Sequence, residues 1–162
     1  MRAAGIMCRM IEYSQGNRHD IDHFMKVFAY ASTIAKCEDV SPQERETVEI
    51  AAILHDIACP LCREKYGSTN GKLQEREGAA LAEEFLSGAD LPREIKERVV
   101  YLVGRHHTLT DIDGMDYQIL IEADYLVNAG EMNYAEEQIQ SALRTVFKTK
   151  TGTALLKAVY AA

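Results

Sequence analysis

The run Ile50-Ala51-Ala52-Ile53-Leu54, followed directly by His55-Asp56, constrains this chain most. Five consecutive apolar residues, preceded by a helix-start signature, describe a helix that is apolar on every side and therefore belongs in a domain interior. An imidazole and a carboxylate leaving such a helix must be hydrogen-bonded, ion-paired or metal-bound, because an unpartnered buried charge is very costly. Two more polar residues sit in comparable apolar settings. His23 lies within Asp22-His-Phe-Met-Lys-Val-Phe-Ala29, and Asp124 lies within Ile119-Leu-Ile-Glu-Ala-Asp-Tyr-Leu-Val127. His23, His55, Asp56 and Asp124 together have the composition of a metal site. Spacing alone leaves each of them open between a ligand and a satisfied core polar group.

Helical spacing organises the rest. The three prolines and ten glycines fall between segments of helical period. Residues 3–14 predict an amphipathic helix ended by Gly16-Asn17. A second helix begins between Arg18 and Asp20, with Phe24, Val27, Phe28, Ala31, Ile34 and Ala35 on one face. Ser41-Pro42-Gln43-Glu44 supplies an N-cap, Pro at N1 and an acid in the first turn, and opens the helix that carries His55-Asp56. Pro60 is expected to break that helix, and residues 60–72 to form a loop able to act as a lid. Further helices are expected at 73–87, from Leu91-Pro92 to His106-His107, at 115–129, at 133–147 and at 153–160. No segment alternates with the period of a strand. The expected fold is all-α, a bundle of six or seven helices around a central polar pocket, with residues 1–162 as one domain.

On these helices His23, Asp124 and His106 fall on apolar faces, and His107 lies about 100° round from His106. His55 and Asp56 point apart as neighbours but can straddle one ion in a groove between helices. Mixed nitrogen and oxygen ligation suits Zn, Mn, Fe, Ni or Mg. Glu122 falls off the stripe that Asp124 continues and is expected to be solvated. Cys59 and Cys62 make a single C-x-x-C with no second pair to complete a zinc cluster, and are expected to be two thiols in a loop.

Composition removes several classes of function. The net charge is −7 with no block of Lys and Arg, which argues against a nucleic-acid polymer or an anionic membrane as partner. No apolar run approaches the ~18 residues needed to span a bilayer. Arg9 interrupts an N-terminus too short in apolar residues for a signal peptide, and four cysteines in a chain of 162 residues do not form a disulfide scaffold. The expected compartment is the cytoplasm.

Five segments, in order, resemble the HD superfamily of metal-dependent phosphohydrolases. Asn17-Arg-His-Asp-Ile-Asp-His23-Phe-Met-Lys-Val27 is similar to its opening, and Ala51-Ala-Ile-Leu-His55-Asp56-Ile57 to its central segment. Glu77-Gly-Ala-Ala-Leu-Ala82, Val103-Gly-Arg-His-His107 and Glu122-Ala-Asp124-Tyr-Leu-Val-Asn128 follow. The resemblance covers residues 18–131 and leaves 132–162 as a helical extension, in which Phe147-Lys-Thr-Lys-Thr-Gly152 is similar to a tail seen after some HD domains. It implies a divalent metal held by His23, His55, Asp56 and Asp124. Two departures stand out. Members with several metals carry a His four residues before the Gly that is Gly78 here, where this chain has Gln74, and Lys26 replaces an Arg. One firmly bound metal is expected.

Phosphoryl hydrolysis needs cations for the non-bridging oxygens and a group to orient water or protonate the leaving group. Lys26, Arg63, Lys65, Lys72 and Arg105 are the candidates for the former; Glu75, Glu77, His106 and His107 are the candidates for the latter. The implied substrate is a small phosphorylated molecule, a nucleotide or phosphomonoester, with homodimerisation left open. The alternatives are a di-iron oxygenase of the HD type, which the missing His at Gln74 disfavours, and a non-catalytic, metal-anchored nucleotide-binding module.

Overall fold

Ile50, Ala51, Ala52, Ile53 and Leu54 have no solvent exposure, and the helix they belong to stands at the centre of an all-helical structure. The computed structural model describes residues 2–161. Among them are nine helices and no strand, somewhat more helices than the six or seven expected. In order they are α1 (Arg2–Tyr13), α2 (Arg18–Cys37), α3 (Pro42–Leu54), α4 (Cys59–Tyr66), α5 (Gly71–Leu86), α6 (Arg93–Val103), α7 (Met115–Glu131), α8 (Glu136–Thr145) and α9 (Lys150–Tyr160).

The helix starts are written in short polar residues. Asn17 accepts the Asp20 N–H at 3.2 Å and so fixes where α2 begins, five residues before His23. Ser41 and Glu44 form a reciprocal capping box at α3, with Pro42 in the first turn. Asn70 caps α5 and Thr149 caps α9. Helix α3 packs on α2, α6 and α7, and α2 packs on α7. The first turns of α2, the residues that follow α3 and α6, and the second half of α7 converge on one polar pocket.

The segment expected as a loop between 60 and 72 contains α4. Pro60 does not break a helix there but sits in the first turn of a new one, where its missing N–H costs nothing. Gly67 then ends α4 with φ 62°, a left-handed conformation suited to glycine. Cys59 and Cys62 are accordingly buried on a helix and not loop thiols.

A second correction concerns Glu122, which is fully buried rather than solvated. Its Oε1 accepts hydrogen bonds from Gln118 Nε2 at 2.7 Å, Lys148 N at 2.6 Å and Thr149 N at 2.9 Å, and its Oε2 accepts from the Thr149 hydroxyl. A carboxylate of α7 thus receives the free N–H groups before α9, where the helix dipole favours a negative charge. The segment 147–152 is the strap that docks the last helix onto α7. Tyr160, donating to the Leu126 carbonyl at 2.5 Å, closes the far end of α9 on the same helix.

Candidate metal centre

Three helices bring their polar residues to one point. His23 comes from the first turns of α2, His55 caps the C-terminus of α3, Asp56 follows in the next turn, and Asp124 comes from the middle of α7. Each imidazole is fixed through Nδ1. His55 Nδ1 donates to the Ala52 carbonyl at 2.8 Å, and His23 Nδ1 to Glu131 Oε2 at 2.8 Å. With Nδ1 committed as donor, each neutral ring presents a lone pair at Nε2.

Those two Nε2 atoms face each other. His23 Nε2 and His55 Nε2 are 3.1 Å apart. Asp124 Oδ1 lies 3.2 Å from the former and 3.4 Å from the latter, and Asp56 Oδ2 lies 3.5 Å and 3.6 Å from them. Ligands bound at about 2.1 Å to one ion stand about 3.0–3.4 Å apart in octahedral or tetrahedral arrangement. His23, His55 and Asp124 match that spacing and Asp56 stands just outside it, while the hydrogen bonds behind each imidazole match the outer partners that metal-bound histidines need. The His/Asp cluster is able to hold a divalent metal.

The electrostatics express the same demand for a cation. Burial alone would lower the His23 pKa, but the hydrogen bond to Asp124, the charges of Asp56 and Asp124 and the bond to Glu131 outweigh it and push it up to about 9. His55 is raised against its burial by Asp56 and Asp124. Asp124, against burial, is held well below the usual carboxylate range by His23 and His55, and Asp56 likewise by His55 and His106. Two carboxylates and two imidazoles at these distances are stable together only with positive charge among them.

His106 adds a further donor. Its Nδ1 donates to the Val103 carbonyl at 2.8 Å, leaving Nε2 buried, without a hydrogen-bond partner, 3.4 Å from Asp56 Oδ1. His106, His107 and Asp56 have ligand atoms within 4.8 Å of one another. His107, however, directs Nε2 to Gln74 Oε1 at 3.1 Å, while Gln74 Nε2 donates to the Thr69 carbonyl at 2.6 Å.

A family model described as HD domain matches residues 20–146. The chain belongs to the HD-domain family. A solved structure described as a predicted HD superfamily hydrolase from an uncultured Thermotogales bacterium superposes with a TM-score of 0.71 at 24% identity, covering 98% of this chain and 84% of that one. At that identity the likeness speaks for the fold. No curated protein matches the chain.

Around the HD cluster lies a cavity of about 410 Å³, lined by His23, Asp56, Asp124 and eleven further residues. It brings some of the expected site residues together and leaves others outside. Arg63 and His107 line it; Arg63 is held by both carboxylate oxygens of Asp20. Lys26 stands beside it, 3.0 Å from Glu131 Oε1. Lys65 pairs with Glu77 at 3.5 Å, exposed Lys72 sits at the start of α5, and Arg105 lies over the Tyr101 ring; none of the three lines the cavity. Glu75 accepts from His107 N at 3.0 Å and Thr108 Oγ1 at 2.9 Å and so fastens the turn that carries His106 and His107. Glu77 accepts from the Tyr66 hydroxyl at 2.5 Å and does not line the cavity.

Asn128 and Glu131 complete the HD site and were not singled out by sequence. Asn128 Nδ2 donates to Asp124 Oδ1 at 2.9 Å, and Glu131 holds both His23 and Lys26. They lie four and seven residues after Asp124, on the same face of α7, a spacing that carries the signal.

Proposed function

We propose that this HD domain is a divalent-metal-dependent phosphohydrolase acting on a small phosphorylated substrate, a nucleotide or other phosphomonoester. The observation that carries the reading is the pair of opposed Nε2 atoms of His23 and His55, flanked by Asp56 and Asp124. HD domains are typically metal-dependent phosphohydrolases, and the structural neighbour is described as a predicted hydrolase. His23, His55, Asp56 and Asp124 would hold one ion of Mn, Fe, Zn, Ni or Mg. When bound, such an ion lowers the pKa of water and polarises a phosphoryl oxygen.

The chain's own residues supply the rest. Arg63 and Lys26 receive the non-bridging oxygens, and each is kept near the cavity by an acid, Asp20 or Glu131. A guanidinium is suited to two phosphoryl oxygens at once, a lysine to one. In the reaction a water oxygen bonds to phosphorus and gives up a proton to solvent, the bond from phosphorus to the ester oxygen breaks, and the leaving alkoxide takes a proton from solvent. His107, on the cavity wall, is kept neutral, its pKa pushed down to about 4 by burial and by the nearby His106, so it borders the leaving group without protonating it; His106, buried behind Asp56, acts on the cluster instead. Glu75 serves catalysis indirectly, by fixing the 106–107 turn.

The test is a phosphate-release screen over nucleotides and sugar phosphates with each metal in turn. The reading requires turnover that a chelator abolishes and that His55→Ala lacks. Consumption of oxygen by an iron-loaded protein, with no phosphate released from any ester, would replace it with the oxygenase alternative.

A further inference from the structure

We propose that Met132 and Tyr134 form a stacking subsite for a planar, base-like group, so that the favoured substrate is a nucleoside monophosphate rather than a sugar phosphate. The proposal rests on the phosphohydrolase reading for where the phosphate sits.

Both residues line the metal cavity, on the turn that follows α7, beside Asn128 and Glu131. Met132 is 65% exposed, the most open large apolar side chain among the described residues. A thioether left in water at the mouth of a polar cavity has no packing role to explain it. Tyr134 is half-buried and held from behind: its ring lies 5.4 Å from that of Tyr125, which in turn meets Phe147 edge-on at 5.6 Å. The Tyr134 hydroxyl donates to Met132 Sδ at 3.5 Å, a weak bond because a thioether is a weak acceptor. A buttressed aromatic ring and a polarisable sulfur side by side are suited to the flat face of another ring.

The polar groups at this end point the same way by being occupied. Asn128 donates to Asp124, and the two oxygens of Glu131 are taken by His23 and Lys26. A polyol leaving group would find few free partners and would leave its hydroxyls unpaired on binding. A planar ring needs none. For the same reason the subsite reads the flatness of the group and not the hydrogen-bonding edge of a particular base.

The experiment titrates the metal-loaded full chain, by calorimetry, with the phosphonate analogues of adenosine 5′-monophosphate and of ribose 5-phosphate, whose P–C bond is not hydrolysed. The adenosine analogue is expected to bind at least about fivefold more tightly, the lower end of what stacking on an aromatic side chain contributes. Tyr134→Ala should remove that advantage, Tyr134→Phe should keep it, Met132→Ser should reduce it, and none should alter binding of the ribose analogue. Equal binding of the two analogues, failure of both to bind, or an equal loss for both in Tyr134→Ala would overturn the proposal. Phosphate release is scored separately. Selective binding with no ester turned over would keep the subsite and reject the hydrolase.

Discussion

The Glu122 carboxylate lies where a side chain on Gly152 would have to go: a Cβ added to Gly152 would come within 1.9 Å of Glu122 Oε2. Helix α9 can approach α7 closely because residue 152 has no side chain, and the approach lets the N–H groups of Lys148 and Thr149 reach a buried acid. Glu122→Ala leaves those donors and the Thr149 hydroxyl without their acceptor, and Gln118 with the Val146 carbonyl alone. It is expected to destabilise the protein by about 2–4 kcal/mol, the range for breaking a buried hydrogen-bond network. Urea unfolding followed by circular dichroism reads this as a lower midpoint; an unchanged midpoint would mean that the strap contributes nothing.

Gly152→Ala approaches the same contact from the other side. The added methyl must displace the Glu122 carboxylate or the strap, at a cost of about 1–3 kcal/mol for overpacking. Combined with Glu122→Ala the two losses should be well short of additive, since the first variant removes the group that the second collides with. Additive losses in matched unfolding curves would separate the two residues.

Cys59→Ser with Cys62→Ser should leave the metal content unchanged. Burial, followed by the charges of Asp56 and Asp20, pushes the Cys59 thiol far up, so it stays protonated and is a poor ligand although it lines the cavity. Metal loss in elemental analysis of the double variant, with its helicity intact, would assign the ligands wrongly.

Gln74→His addresses why one ion is expected. The Gln74 carboxamide is spent on Thr69 and His107, and an imidazole there would face His107 and the Asp56–His106 pair. The variant is expected to raise the tightly bound metal from about one towards two per chain. Two tight ions in the unsubstituted protein would defeat the mononuclear account whatever the variant holds.

The polar residues in apolar settings were legible because inward faces can be read from 3.6-residue spacing: His23 and Asp124 followed their apolar stripes into the cavity. Glu122 was misread because the stripe argument assumes that a helix is covered on one side. Helix α7 is covered by α2 and α3 on one side and by α9 on another, so an acid off the stripe met a helix N-terminus and not water. Pro60 was misread because proline both ends and begins helices, and nothing local in Cys59-Pro60-Leu61-Cys62 distinguishes the two; the turn from His55 to Ala58 does. Asn128 and Glu131 were available from spacing. Met132 and Tyr134 were not, since only the closed bundle shows which of its exposed residues border the cavity.

The most direct measurement is the metal content of the protein after loading with Mn or Zn and exhaustive dialysis, beside His55→Ala and Asp124→Ala treated identically. About one ion per chain in the unsubstituted protein, and none in either variant that remains folded by circular dichroism, is the result required by the facing Nε2 atoms of His23 and His55. Retention of a full ion by folded His55→Ala, or no ion in the unsubstituted chain, would contradict it.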